Sequence, residues 1–223
     1  ANKINKLDIS KTIKQFSKVK IAIFGDIIVD KYVNAKPLGI SQEDPLVTFK
    51  PIKSEFFLGG AGIVAAHARQ LGAKTEIFTV IGKDNTNNFI LDKIKKYGKN
   101  KKFIFIDKNR NNTVKTRFVS NGNAQFKITE LDETFINKKF ENKIINNFSK
   151  ISDSIDMVVF SDFSYGVLTS TIINKISEIC MQKKIKIFAD CQSSSQFGDI
   201  SKYINCDALT PTEYEARLSL SDN

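Results

Sequence analysis

The stretch Lys20-Ile21-Ala22-Ile23-Phe24-Gly25-Asp26 is a short apolar run closed by a glycine and an aspartate. A strand buried on both faces of a parallel sheet reads this way, with continuous apolar residues instead of alternation. Four further runs share the form, at 75–82, 102–107, 156–162 and 184–190. Helical periodicity fills the intervals over 62–71, 85–97, 133–148 and 169–182. Such alternation predicts an α/β fold: a doubly wound, mostly parallel sheet with right-handed crossovers.

Two stretches break the alternation. Residues 31–57 hold Pro37, Pro45 and Pro51 among β-type segments with no helical period. Residues 113–130 alternate around Asn121-Gly122, the favoured two-residue hairpin turn. Both segments leave the sheet and return to it. The expectation is a small β lid over the sheet edge, with 113–130 pairing with strand material from 31–57.

The 223 residues are 41% hydrophobic and 26% charged, enough apolar surface for a substantial core, which excludes general disorder. No apolar run approaches the ~20 residues that span a bilayer. Ala1-Asn2-Lys3-Ile4-Asn5-Lys6 has no apolar segment behind its lysines, so no secretory signal is read there. A cytoplasmic protein without membrane association is expected. Cys180, Cys191 and Cys206 are odd in number and lack metal-type spacing, so they read as reduced thiols. The single histidine, His67, excludes His-rich metal sites. The net charge is +10, but the lysines are dispersed and form no block. They read as a solvated surface, compatible with small anionic partners, and no nucleic-acid partner is expected.

Ligands of open α/β sheets bind outside the carboxyl ends of the strands. Asp26, Asp30, Asp162 and Asp190 all fall at such ends. An aspartate there also caps helices and turns, but four together point to a polar site for hydroxyls or metal ions. Leu58-Gly59-Gly60-Ala61-Gly62-Ile63 opens a helix, where glycines admit close backbone approach and free N–H groups face a ligand. Gly60 to Ala65 also fits the dinucleotide pattern G-x-G-x-x-A. That fingerprint belongs after the first strand, with an acid ~20 residues on closing the second strand; Glu76 instead begins one.

Five motifs then occur in order. They are Gly25-Asp26-Ile27-Ile28-Val29-Asp30-Lys31-Tyr32, Gly59-Gly60-Ala61-Gly62 through Leu71-Gly72-Ala73, Gly82-Lys83-Asp84, Ser161-Asp162-Phe163-Ser164-Tyr165-Gly166-Val167-Leu168 and Thr210-Pro211-Thr212-Glu213-Tyr214-Glu215-Ala216. Together they resemble the ribokinase-like (PfkB-type) carbohydrate kinases, from about Ile21 onward. Within that superfamily the nearest resemblance is to the heptose-phosphate kinase domain of ADP-heptose synthesis.

The resemblance implies transfer of phosphate from ATP, with Mg²⁺, to a sugar or sugar phosphate. On the substrate side it implies Asp30 accepting sugar hydroxyls, Gly59 and Gly60 offering main-chain amides, and Ile63 standing where the family has a sugar-contacting Asn. Lys115 and Arg117 on the hairpin are candidates for an anionic sugar phosphate. On the nucleotide and magnesium side it implies Asp162, Asp190, Thr212 and Glu215, the last acting on magnesium through water, with no direct metal ligand. It also implies a homodimer through the β lid, with Phe118 or Phe126 at the interface. Further departures are Thr212 for Asn in T-P-N-x-x-E, Tyr165 for the lysine of S-D-Y-x-K-G, and Asp190-Cys191-Gln192 followed by Ser193-Ser194-Ser195 for D-P-K. The family's G-A-G-D segment, with the catalytic base, is expected beyond Asn223. The chain therefore reads as a fragment of a longer kinase or a natural truncation, with the ribokinase-like fold's C-terminal part missing, and residues 1–223 alone are not expected to transfer phosphate.

Two other functions stay open on the residues: a dinucleotide-binding oxidoreductase using Gly60-Ala61-Gly62, and a non-catalytic sugar-binding or dimerising relative. Nicotinamide binding would mark the first. Ligand-induced stabilisation without turnover would mark the second.

Overall fold

A computed structural model describes residues 6–97, 101–192 and 198–220. In chain order the elements begin with helix α1 (Lys6–Phe16), strands β1 (Lys20–Gly25), β2 (Ile27–Ile40) and β3 (Val47–Gly60), and helix α2 (Ala61–Gln70). Next come β4 (Lys74–Ile81), α3 (Asn87–Tyr97), β5 (Ile104–Ile106), β6 (Thr113–Ser120) and β7 (Asn123–Glu130). The chain continues through α4 (Lys138–Ile151), β8 (Met157–Asp162), α5 (Ser170–Lys183), β9 (Lys186–Cys191), β10 (Ala208–Leu209) and α6 (Glu213–Ser219).

Six strands in the order β10-β9-β8-β1-β4-β5 form a parallel sheet. The chain moves from β1 outward to β5, then returns beside β1 with β8 and proceeds the other way. The β1/β8 boundary is thus the topological switch point, where open α/β sheets hold ligands. Side chains of β1 alternate between two cores: Ala22 and Phe24 face α4 and α5, while Ile21 and Ile23 face α2 and α3. On the first face Phe24, Phe78 and Phe103 stack in a row, at centroid separations of 4.6 and 4.4 Å, with Phe148 edge-on to Phe24. The apolar runs are continuous because both faces are covered.

The second sheet has the order β3-β2-β6-β7. β2 and β3 pair antiparallel, β6 and β7 form a hairpin, and β2 joins β6 in parallel from Ile28↔Thr113 to Asn34↔Val119. The hairpin turns at Asn121-Gly122, whose φ values of 51° and 79° are the left-handed pair that such a turn needs.

The structure departs from the periodicity at three places. β2 starts at Ile27, directly after Asp26, so the second sheet springs from the end of β1. α4 starts at Lys138 instead of 133, because the Asn137 side chain accepts from the Lys139 and Phe140 amides and caps the helix. α1, unread from the sequence, leaves Ile9 and Ile13 about half exposed, a weak apolar stripe. Ser193, Ser194 and Ser195 lie outside the described residues. Among those described, no helix is long and apolar enough to cross a membrane.

Candidate functional site

Asp26 ends β1 at the switch point and is 2% exposed. Its carboxylate accepts main-chain N–H groups from Phe163 (3.0 Å), Tyr165 (3.3 Å) and Val167 (3.2 Å). Its carbonyl accepts from Ala61 N at 2.8 Å, the first residue of α2. Gly60 stands in that approach with φ of 60°, and a Cβ there would lie 2.1 Å from the Asp26 carbonyl oxygen. One aspartate therefore ties β1, the glycine turn and the 161–167 turn together. Burial, then the nearby Asp162 charge, pushes its pKa up to about 6 against the pull of the three amides.

Four residues on, Asp30 points into a cleft of about 610 Å³ on one face of the second sheet. Strand alternation puts Asp30, Tyr32 and Asn34 on that face. Phe57 and Glu55 face it from β3, Val119 and Ala124 from the hairpin, and Gly59 and Ile63 close one end. Asp30 Oδ1 is bonded by Arg117, whose guanidinium also lies 5.3 Å from the Tyr32 ring centre. Asp30 Oδ2 sits over Gly59, where a Cβ would come within 2.5 Å of it. The glycine keeps that oxygen accessible.

Lys115 shares the Asp30 and Arg117 face but is 4% exposed. Its ammonium lies 5.3 Å from the centres of both the Phe163 and Tyr165 rings. A cation over two aromatic faces is favourably held, so Lys115 bridges the second sheet to the 161–167 turn and does not line the cleft. Among the described residues, the Tyr165 hydroxyl is buried without a hydrogen-bond partner.

The residues expected on the nucleotide side gather at the carboxyl ends of β8, β9 and β10. Asp162 is 1% exposed and accepts from the Tyr203 hydroxyl at 2.7 Å, Ser164 N at 2.8 Å and Lys202 Nζ at 2.5 Å. Asp190 accepts from Thr210 Oγ1 at 3.0 Å. Thr212 and Glu215 form a reciprocal capping box on α6, with Glu215 Oε2 taking both the amide (2.8 Å) and the hydroxyl (2.9 Å) of Thr212. Among the described residues, no three His, Cys, Asp or Glu gather as metal ligands.

Burial pushes the thiols of Cys180 and Cys191 up to about 12 and that of Cys206 up to about 11, so all three stay protonated and inert. Gly60-Ala61-Gly62 opens α2 from β3, an antiparallel strand of the second sheet. Dinucleotide glycines follow a parallel strand, and this geometry removes the support for the oxidoreductase reading. Sequence reasoning missed Tyr32, Asn34, Glu55 and Phe57 in the cleft. The period-2 alternation from Asp30 was the signal that could have found the first two.

Residues 18–223 match the profile of the pfkB family of carbohydrate kinases. The Bifunctional protein HldE of Sulfurimonas denitrificans is 30% identical over 206 residues, covering 92% of this chain and 42% of its own length. That of Aliarcobacter butzleri is 28% identical over 202 residues, covering 90% and 41%. The chain spans about two fifths of the length of these curated relatives. Among solved structures, Arabidopsis thaliana ribokinase complexed with ribose and ATP superposes with a TM-score of 0.64 at 14% identity, covering 89% of this chain and 62% of that one. The tetrameric inhibited form of phosphofructokinase-2 from Escherichia coli gives 0.66 at 11%, covering 91% and 64%.

Proposed function

Since the chain belongs to the pfkB family of carbohydrate kinases, we propose that it forms the sugar-binding side of an enzyme transferring phosphate from ATP to a hydroxyl of a sugar or sugar phosphate. The observation that carries this reading is the cleft beside the switch point, where Asp30 and Gly59 meet. Asp30 would accept two sugar hydroxyls through a carboxylate that Arg117 holds in place. Gly59 would let the ring approach the main chain, with Gly60 fixing the turn behind it and Ile63 closing the end. The second sheet, as a lid, would exclude water from the transfer. Lys115, held by Phe163 and Tyr165, would couple lid and core.

ATP enters the proposal through the family. Asp162, Asp190, Thr212 and Glu215 would shape its side of the site. Mg²⁺ accompanies ATP in such transfers. Glu215, with Oε2 on the α6 cap, would act on that ion through water. The reaction would take place in the cytoplasm, where ATP is available. The lid face turned away from the cleft leaves Phe56, Phe126 and Ile128 between 41% and 49% exposed, which supports a homodimer through it.

The test is a coupled ADP-release assay on the complete gene product with a panel of sugars and sugar phosphates. Asp30→Ala should lower kcat/KM at least about 100-fold, the equivalent of two charge-assisted hydrogen bonds, while the melting temperature moves little. Undiminished sugar-dependent release by that variant would overturn the assignment. Sugar-induced stabilisation without ADP release would identify a non-catalytic sugar binder, a reading that Ile63 and Thr212 favour.

A further inference from the structure

The motif Gly82-Lys83-Asp84 lies outside the cleft and the nucleotide side, at the place where the chain enters the lid. Gly82 packs directly on residues 110–112: a Cβ there would come within 2.3 Å of the Arg110 carbonyl oxygen. Lys83 N donates to that same oxygen at 3.1 Å, and Gly82 N donates to Asn112 Oδ1 at 2.8 Å. Asp84 Oδ2 accepts the Asn112 main-chain amide at 2.7 Å, while Oδ1 accepts Asn112 Nδ2 at 3.0 Å. Thr86 Oγ1 donates to Asp84 Oδ1 at 2.6 Å and stands 3.1 Å from Asn112 Nδ2. Asn87 stiffens the same turn, donating from Nδ2 to Gly82 O at 2.8 Å and accepting Asp84 N at 2.7 Å. Asn112 is 5% exposed, and hydrogen bonds held away from water are the stronger for it.

Asn112 is the last residue before β6, which opens at Thr113 beside Ile28 of β2. β6 and β7 take their register from the Asn121-Gly122 turn between them. β2 and β6 run parallel and share no such turn, so the bonds at the start of β6 carry that task. A slip of one residue would move Arg117, and Lys127 opposite it in the hairpin, to the other face of the sheet, away from Asp30. The exit of the hairpin is held from the same segment, where Arg110 donates to the Thr134 carbonyl and lies 3.8 Å from Asp132. Resting on the kinase reading above, we propose that Asp84 and Asn112 are positioning residues, a clasp between the β4–α3 turn and the lid that sets β6 on β2 and so holds Arg117 against Asp30.

The experiment compares the complete protein with Asn112→Ala, and with the milder Thr86→Val should Asn112→Ala fail to fold. Hydrogen–deuterium exchange of residues 113–119 should quicken about tenfold, while β1 and β4 exchange as in the parent. In the ADP-release assay the sugar KM should rise toward the roughly tenfold of Arg117→Met, with kcat and the ATP KM within about twofold of the parent. Asn112→Ala added to Arg117→Met should bring no further rise, because the first acts through the second. A role in stability alone would lower the melting temperature and leave the sugar KM untouched. Unchanged exchange in 113–119 overturns the proposal whatever the assay gives. Faster exchange with an unaltered sugar KM, or additive rises in the double variant, overturns it while leaving the kinase reading intact. A parent protein that releases no ADP with any sugar or sugar phosphate of the panel overturns the two together.

Discussion

Asp26 and Asp30 stand four residues apart on one stretch of chain, and they hold opposite kinds of site. At the junction, Asp26 is sealed and spends its oxygens on three main-chain amides. In the cleft, Asp30 is 22% exposed and is restrained by a single side chain. Amides of a fixed turn make a rigid anchor that a ligand cannot compete for. A side-chain partner leaves an oxygen to offer. Of the two, only Asp26 closes a strand of the parallel sheet; Asp30, expected at a strand end, lies inside β2, and the partners decide which acid becomes an anchor and which a hook.

The junction breaks most readily at Gly60. Gly60→Ala should destabilise the fold by roughly 3 kcal/mol or more, from the positive φ together with contact against the Asp26 carbonyl; chemical denaturation measures it, and a loss below 1 kcal/mol would show that the turn can relax. The next effect is pH dependence. The folded-state pKa of Asp26, about 6, lies above the ordinary 3.8, so the folded protein binds the extra proton between those values. Its contribution is full below about pH 4 and is lost as pH rises through 6, roughly 3 kcal/mol in all. Asp84 and Asp132 are shifted down by their hydrogen bonds to Thr86 and Asn112 and to Thr134, against the burial that opposes them. Their contributions are lost only below about pH 4. Melting curves from pH 4 to 7 should thus flatten in Asp26→Asn relative to the parent, and equal slopes would remove Asp26 from the account.

On the cleft side, Arg117→Met should raise the sugar KM about tenfold, one charge-assisted bond's worth of positioning, with the melting temperature nearly unchanged. An unaltered KM would mean that Asp30 needs no guide. The smallest effect belongs to Gly122, whose added Cβ would meet nothing within 4 Å. Gly122→Ala should cost only about 1 kcal/mol, from φ alone, and a larger loss in denaturant would reveal strain elsewhere in the hairpin.

The strands of the core were legible because burial on both faces leaves an unbroken apolar run, as in β1 and β4. The hairpin was legible from Asn121-Gly122, a purely local signal. The fate of each acid was not. Asp26 meets amides 137 to 141 residues downstream, and Asp30 meets Arg117 at a separation of 87. Nothing local distinguishes them. Lys115 stood with Arg117 as a candidate for an anionic sugar phosphate, and its burial was illegible for the same reason, since the rings that cover it come from a different turn. The 133–137 stretch looked helical because Phe135 and Ile136 fit the period, yet Phe135 is 72% exposed and Ile136 N bonds to Gly166 O, outside any helix.

The central place of β1 has a consequence in time. It lies between β4 and β8, so its second edge is covered only when Met157–Asp162 arrives. With Phe163 137 residues behind Asp26 and ribosomes adding ~5–20 residues/s, the nascent chain carries an uncovered apolar strand edge for roughly 7–27 s. During synthesis β1 waits for β8 before its second edge is sealed, and through that interval the newborn protein is exposed to sticking to its neighbours.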